Sequence, residues 1–131
     1  MRSPPDIVSN AWLKGATSIS SALLGEDRAA AAVIGRALDQ GVTYCDTAPA
    51  YAGSLDYYGA TLGERRGQIF LASKTHERSR DGSLRLLDES LRRARTDDLD
   101  LWQLHDLRTQ DDLNRIFAKG GALEALLLAK V

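Results

Sequence analysis

Ile69–His105 reads IFLASKTHERSRDGSLRLLDESLRRARTDDLDLWQLH. Its first five residues, Ile69–Ser73 (IFLAS), are a short apolar run of strand length. Ser83–Arg95 (SLRLLDESLRRAR) then places Leu84, Leu87, Leu91 and Ala94 at helical spacing, with Arg85, Asp88, Glu89, Arg92 and Arg93 on the wet face. Leu99–Leu104 (LDLWQL) returns to strand character. A strand, a helix and a second strand at these lengths predict a βαβ unit, whose right-handed crossover makes the strands parallel.

The alternation continues on both sides. Upstream, Glu26–Gln40 (EDRAAAAVIGRALDQ) predicts a helix with Ala30, Val33, Ile34, Ala37 and Leu38 inward. Glu26 and Asp27 suit its first turn, and Gly41 its stop. Val42–Cys45 (VTYC) predicts a strand, and Ser54–Leu62 (SLDYYGATL) a second helix stopped by Gly63. Downstream, Thr109 caps a helix over Asp111–Ala118 with Leu113, Ile116 and Phe117 inward. Gly120–Gly121 breaks the chain before a last helix at Ala122–Lys130 (ALEALLLAK). Near the start, Pro4 and Pro5 prevent regular structure, Ala11–Ser20 has no clear period, and a further strand candidate lies at Ala16–Leu24. The class is α/β with a parallel sheet. With no Ser/Pro linker and no low-complexity segment, residues 1–131 are expected to form a single domain.

Composition bounds the function. The 131 residues carry 17 Lys and Arg against 18 Asp and Glu, so the basic field that nucleic acid requires is missing. No apolar run approaches the about 20 residues that cross a bilayer. The opening residues lack the apolar stretch of a signal peptide, so a cytoplasmic location is expected. A single cysteine, Cys45, excludes an internal disulfide and suits a reducing compartment. His76 and His105 are the two histidines, and no Cys or His spacing supports a zinc site.

Each strand runs into a polar residue that a packed core does not need. VTYC leads to Asp46, IFLAS to Lys74, and LDLWQL to His105. These lie 28 and 31 residues apart, each about one βα unit, so all three are expected on one rim at the strand C-terminal ends. Tyr51, five residues past Asp46 in DTAPAY, belongs to the same rim. Asp, Tyr, Lys and His together suggest proton transfer to a carbonyl oxygen. A free phenol, with a pKa of about 10, is a reluctant donor, and a nearby ammonium lowers that value. Asp46 would hold Lys74 charged, and His105 would position the carbonyl. None of these groups supplies hydride, so a reduced cofactor is required.

Singly, each residue has a plainer explanation. Asp46 could cap backbone N–H groups, Lys74 could extend into water, His105 could be structural, and Tyr51 could pack its ring as Tyr57 and Tyr58 do. Those explanations leave the shared rim unaccounted for. Cys45 precedes a rim residue and is expected on the opposite side, buried and inert. Arg92, Arg93 and Arg95, beside Asp97 and Asp98, read as a solvated face.

The order Asp46-Thr47-Ala48-Pro49-Ala50-Tyr51, then IFLASK ending in Lys74, then LWQLHD carrying His105, resembles the aldo-keto reductases. The stretch Ser90–Asp100 (SLRRARTDDLD) is similar as well, and the resemblance spans roughly Ala29 to Lys130. It implies a (β/α)8 TIM barrel that reduces aldehydes and ketones with NADPH. It also implies a tetrad of Tyr51 as general acid, Lys74 tuning it, Asp46 supporting Lys74, and His105 orienting a small carbonyl substrate. A whole barrel needs about 250 residues. The expected architecture is therefore a parallel (β/α) half-barrel of about four βα units, the N-terminal portion of such a barrel. In the family most cofactor-binding residues follow the later strands, so NADP(H) binding and turnover by this chain alone are expected to be weak or absent. A half-barrel leaves open edges and one uncovered apolar face. The alternatives are a non-catalytic fragment or scaffold subunit, or a homo-oligomer that completes the barrel through those edges.

Overall fold

The structure is a computed structural model and describes residues 25–130. The strand candidate at Ala16–Leu24 lies outside the described residues. The elements run in chain order as α1 (Gly25–Asp39), β1 (Tyr44–Asp46), α2 (Ser54–Thr61), a 3-10 helix (Gly63–Gln68), β2 (Phe70–Thr75), α3 (Arg80–Ala94), β3 (Leu101–Leu104), α4 (Gln110–Phe117) and α5 (Ala122–Ala129). The three strands form one sheet in the order β1-β2-β3, parallel throughout. No helix among the described residues is long and apolar enough to cross a membrane.

The boundaries shift from the sequence expectation for local reasons. After Gly41, at φ +87°, the Val42 N–H donates to the Ala37 carbonyl, so Val42 closes the end of α1 and the strand begins two residues later. Ile69 likewise donates to Arg66 and finishes the 3-10 helix, which two glycines and no apolar period had concealed. α3 starts at Arg80, earlier than expected, because the Ser79 hydroxyl caps it by accepting from the Gly82 N–H. Thr109 caps α4 as expected, accepting from Asp112 N at 3.0 Å.

Inward positions differ at three places. Val33 is exposed, because α1 lies along α2, with Ile34 and Leu38 turned toward the core and Val33 away from it. Phe117 is exposed, since Ile116, one position earlier, takes the buried place on α4. On α3 the buried stripe includes Ser83 and Ser90 besides Leu87, Leu91 and Ala94. Ser90 satisfies its hydroxyl on the Leu86 carbonyl one turn back, at 2.7 Å. Arg93 is not merely solvated: its guanidinium reaches Asp56 on α2 at 2.8 Å and joins the two helices.

The core lies between the sheet and the helices. Leu38, Cys45, Leu62, Ile69 and Leu71 form it, with Ile34, Tyr58 and Leu99 packed against them. Cys45 faces this side, as alternation from the rim residue Asp46 requires. Burial pushes its thiol up, and Tyr58 packs against the same cluster. On the opposite face Tyr44 and Phe70, register partners, stack at 5.4 Å and remain 54% and 42% exposed. The lower end of the sheet is clamped by Arg66. It donates to Thr96 Oγ1, the Ile69 and Asp98 carbonyls, and Asp100 Oδ2, and that oxygen also accepts from Leu71 N.

A Cβ on Gly59 would stand 2.1 Å from the Arg93 carbonyl oxygen, so only glycine lets α2 and α3 approach this closely. Alanine in a helix normally gains about 1 kcal/mol over glycine. Overpacking against backbone should reverse that sign and give a net loss of about 2 kcal/mol in Gly59→Ala, read from urea denaturation. Burial, first, and then Cys45 and Asp46 push the Tyr58 phenol up from 10.0 to about 12. The unfolded chain therefore ionises first, and the stability this group contributes is whole below about pH 10 and lost as the pH rises to about 12. Urea midpoints should fall across that window, and less steeply in Tyr58→Phe.

Candidate active site

Parallel pairing brings the strand ends together. Tyr44, Asp46, Phe70 and Lys74 share the face turned away from the helices, and the pairing Lys74↔Gln103 sets His105, just beyond β3, on the same rim. The Thr47 N–H donates to the Ala72 carbonyl, and the His105 N–H to that of Thr75, so the backbone is pinned one step past both β1 and β3.

The loop after β1 is wound tightly. Thr47 and Ala48 are fully buried, and the Thr47 and Ser54 hydroxyls hydrogen-bond at 2.7 Å. The Tyr51 N–H closes a turn on Ala48, Ser54 closes the next on Tyr51, and Gly53 follows the left-handed path at φ +74°. This winding carries Tyr51 back over the sheet edge.

All four residues singled out from sequence meet there. Lys74 Nζ lies 2.5 Å from Asp46 Oδ2 and donates to the Thr47 carbonyl at 3.0 Å. The same ammonium sits 4.9 Å from the centroid of the Tyr51 ring. Tyr51 and His105 are in edge contact, with ring centroids 5.5 Å apart and an interplanar angle of 88°. The Lys74 side chain is 13% exposed and that of Asp46 37%, so the lysine is largely desolvated and its carboxylate partner is partly open to water. His105 Nδ1 is buried and has no hydrogen-bond partner among the described residues.

Arg78 was not legible in the sequence. It stands in the loop after β2, with Nε on Asp112 Oδ1 at 3.1 Å and Nη2 on the His105 and Asp106 carbonyls at 3.0 and 3.1 Å. The charged run Thr75–Arg80 (THERSR) offers no spacing that selects Arg78 over its neighbours. Among the described residues no group of His, Cys, Asp and Glu is placed to hold a metal ion.

The aldo/keto reductase family model matches residues 15–128, and the chain belongs to that family. It is 36% identical over 94 residues to the Bacillus subtilis aldo-keto reductase YhdN, covering 61% of this chain and 28% of YhdN. The fold is similar to aldo-keto reductase AKR11C1 from Bacillus halodurans in its holo form, with a TM-score of 0.68, 28% identity, and 79% of this chain and 38% of that one covered. It is also similar to an aldo-keto reductase from Klebsiella pneumoniae in complex with NADPH, with a TM-score of 0.60, 27% identity, and 82% and 38% covered. The chain thus spans less than half the length of these relatives. The three-stranded parallel sheet and its helices match part of the (β/α) barrel of these neighbours.

The Asp46–Lys74 contact gives a prediction of coupling. Asp46→Asn and Lys74→Met, measured singly and together by urea denaturation, should show an interaction of about 1 kcal/mol. Additivity within about 0.3 kcal/mol would mean that the surrounding fold alone holds the lysine.

Proposed function

We propose that this chain carries the proton-handling side of a carbonyl reductase site, with Tyr51 as general acid. The observation that carries the reading is the placement of the Lys74 ammonium between the Asp46 carboxylate and the Tyr51 ring. A substrate aldehyde or ketone oxygen would accept the Tyr51 hydroxyl proton. The lysine charge over the ring favours the phenolate left behind, and Asp46 keeps that charge in place. His105 would direct the carbonyl, with Nε2 the nitrogen left to face it since Nδ1 is buried.

NADP(H) is the cofactor that the relatives suggest, and when bound it would supply the hydride to the carbonyl carbon. Binding of that cofactor by this chain alone is expected to be weak. Lys74, Arg78 and Arg108 around this rim are each already paired with a carboxylate, Asp46, Asp112 and Asp106. A basic set for the cofactor phosphates is thus not assembled from them.

The test separates the residue roles from the activity of the isolated chain. With NADPH and 4-nitrobenzaldehyde, the 131-residue protein should turn over no faster than the blank. In a chimaera in which it replaces the matching part of YhdN, reduction should appear. There Tyr51→Phe should lower kcat by about 10²–10⁴-fold. An active chimaera whose kcat is unchanged by Tyr51→Phe would overturn the assignment of the acid.

A further inference from the structure

We propose that Arg78 is a positioning residue that sets His105 against Tyr51. The inference rests on the reading of Tyr51 and His105 as a substrate-facing pair. The imidazole has no anchor of its own at Nδ1 among the described residues, so its place is inherited from the backbone that carries it. That backbone is difficult to hold. His105 is the first residue past β3, and Asp106 follows at φ +57°, a left-handed turn that Asp tolerates better than most residues but that leaves its carbonyl and that of His105 outside any strand or helix.

The Arg78 guanidinium stabilises this turn from behind. One nitrogen, Nη2, donates to the carbonyls of both His105 and Asp106, while Nε is held on Asp112 in the first turn of α4. The side chain is only 10% exposed. Arg78 is itself fixed through its main chain. Its carbonyl accepts from Ala122 N at 2.9 Å, Arg80 N donates to the Gly120 carbonyl at 2.8 Å, and Ser79 bridges Gly121. The rim histidine is therefore tied to the starts of α4 and α5 through one planar fork. A lysine, with a point charge on a flexible stem, cannot serve the carboxylate and both carbonyls in that geometry.

Nuclear Overhauser spectra of the full 131-residue chain test this. The wild type should show cross-peaks between the His105 and Tyr51 ring protons, with His76 as the internal reference. Arg78→Met and Arg78→Lys should lose them, while the amide shifts of β2 and β3 and the His76 ring signals stay in place. Cross-peaks at full intensity in either folded variant would overturn the proposal. So would loss of the β2 and β3 amide dispersion in both variants, which would make Arg78 a folding residue instead. Absence of the cross-peaks in the wild type would instead remove the pairing of Tyr51 with His105, and with it the substrate-directing role proposed for His105.

Discussion

In a parallel sheet every strand leaves on the same edge, and the side-chain face is set by register. Here Asp46 is opposite Ala72 and Lys74 opposite Gln103, so the acid, the amine and the imidazole just beyond β3 share one face at one rim. A slip of one residue at β2 would send Lys74 into the helix layer and bring Ser73 or Thr75 to the rim. The Lys74–Asp46 contact requires a register that keeps both side chains on this face. It also links β1 to β2 at the end where backbone pairing stops.

Charged groups restrain the sheet at both ends, in different ways. At the lower end Arg66 satisfies carbonyls and Asp100 together, and Asp100 in turn accepts from the Leu71 N–H of β2. Each group there has several partners, as buried ions require. At the upper end the interactions are sparser: Lys74 has two oxygen partners, and Asp46 is partly open to water. The lower network suits a structural clamp, and the upper one leaves a phenol and an imidazole edge to edge and accessible.

The two faces of the sheet divide the work of folding and chemistry. Cys45 and Leu71 pack under the helices, and the close approach of α2 to α3 at Gly59 seals that layer. The inner face keeps the stacked Tyr44 and Phe70 uncovered among the described residues. In a (β/α) barrel the corresponding face is covered by side chains of the facing strands.

Helix and strand periods, the cap at Thr109 and the spacing of Asp46, Tyr51, Lys74 and His105 were legible from residues alone, because each depends on neighbours within a few positions or one βα unit. Val33 and Phe117 stand at helical spacing yet are exposed, for the converse reason. An apolar residue at helical spacing shows that a helix has a buried side, and only the docking of α1 on α2 and of α4 beside α5 decides where that side ends. Arg78 was invisible in the same sense, since its partners lie 27 to 34 residues away in sequence. Local chemistry thus determined the elements and named the reactive groups. Tertiary pairing decided which groups touch, because hydrogen bonds and burial between distant segments leave no periodic trace in the chain.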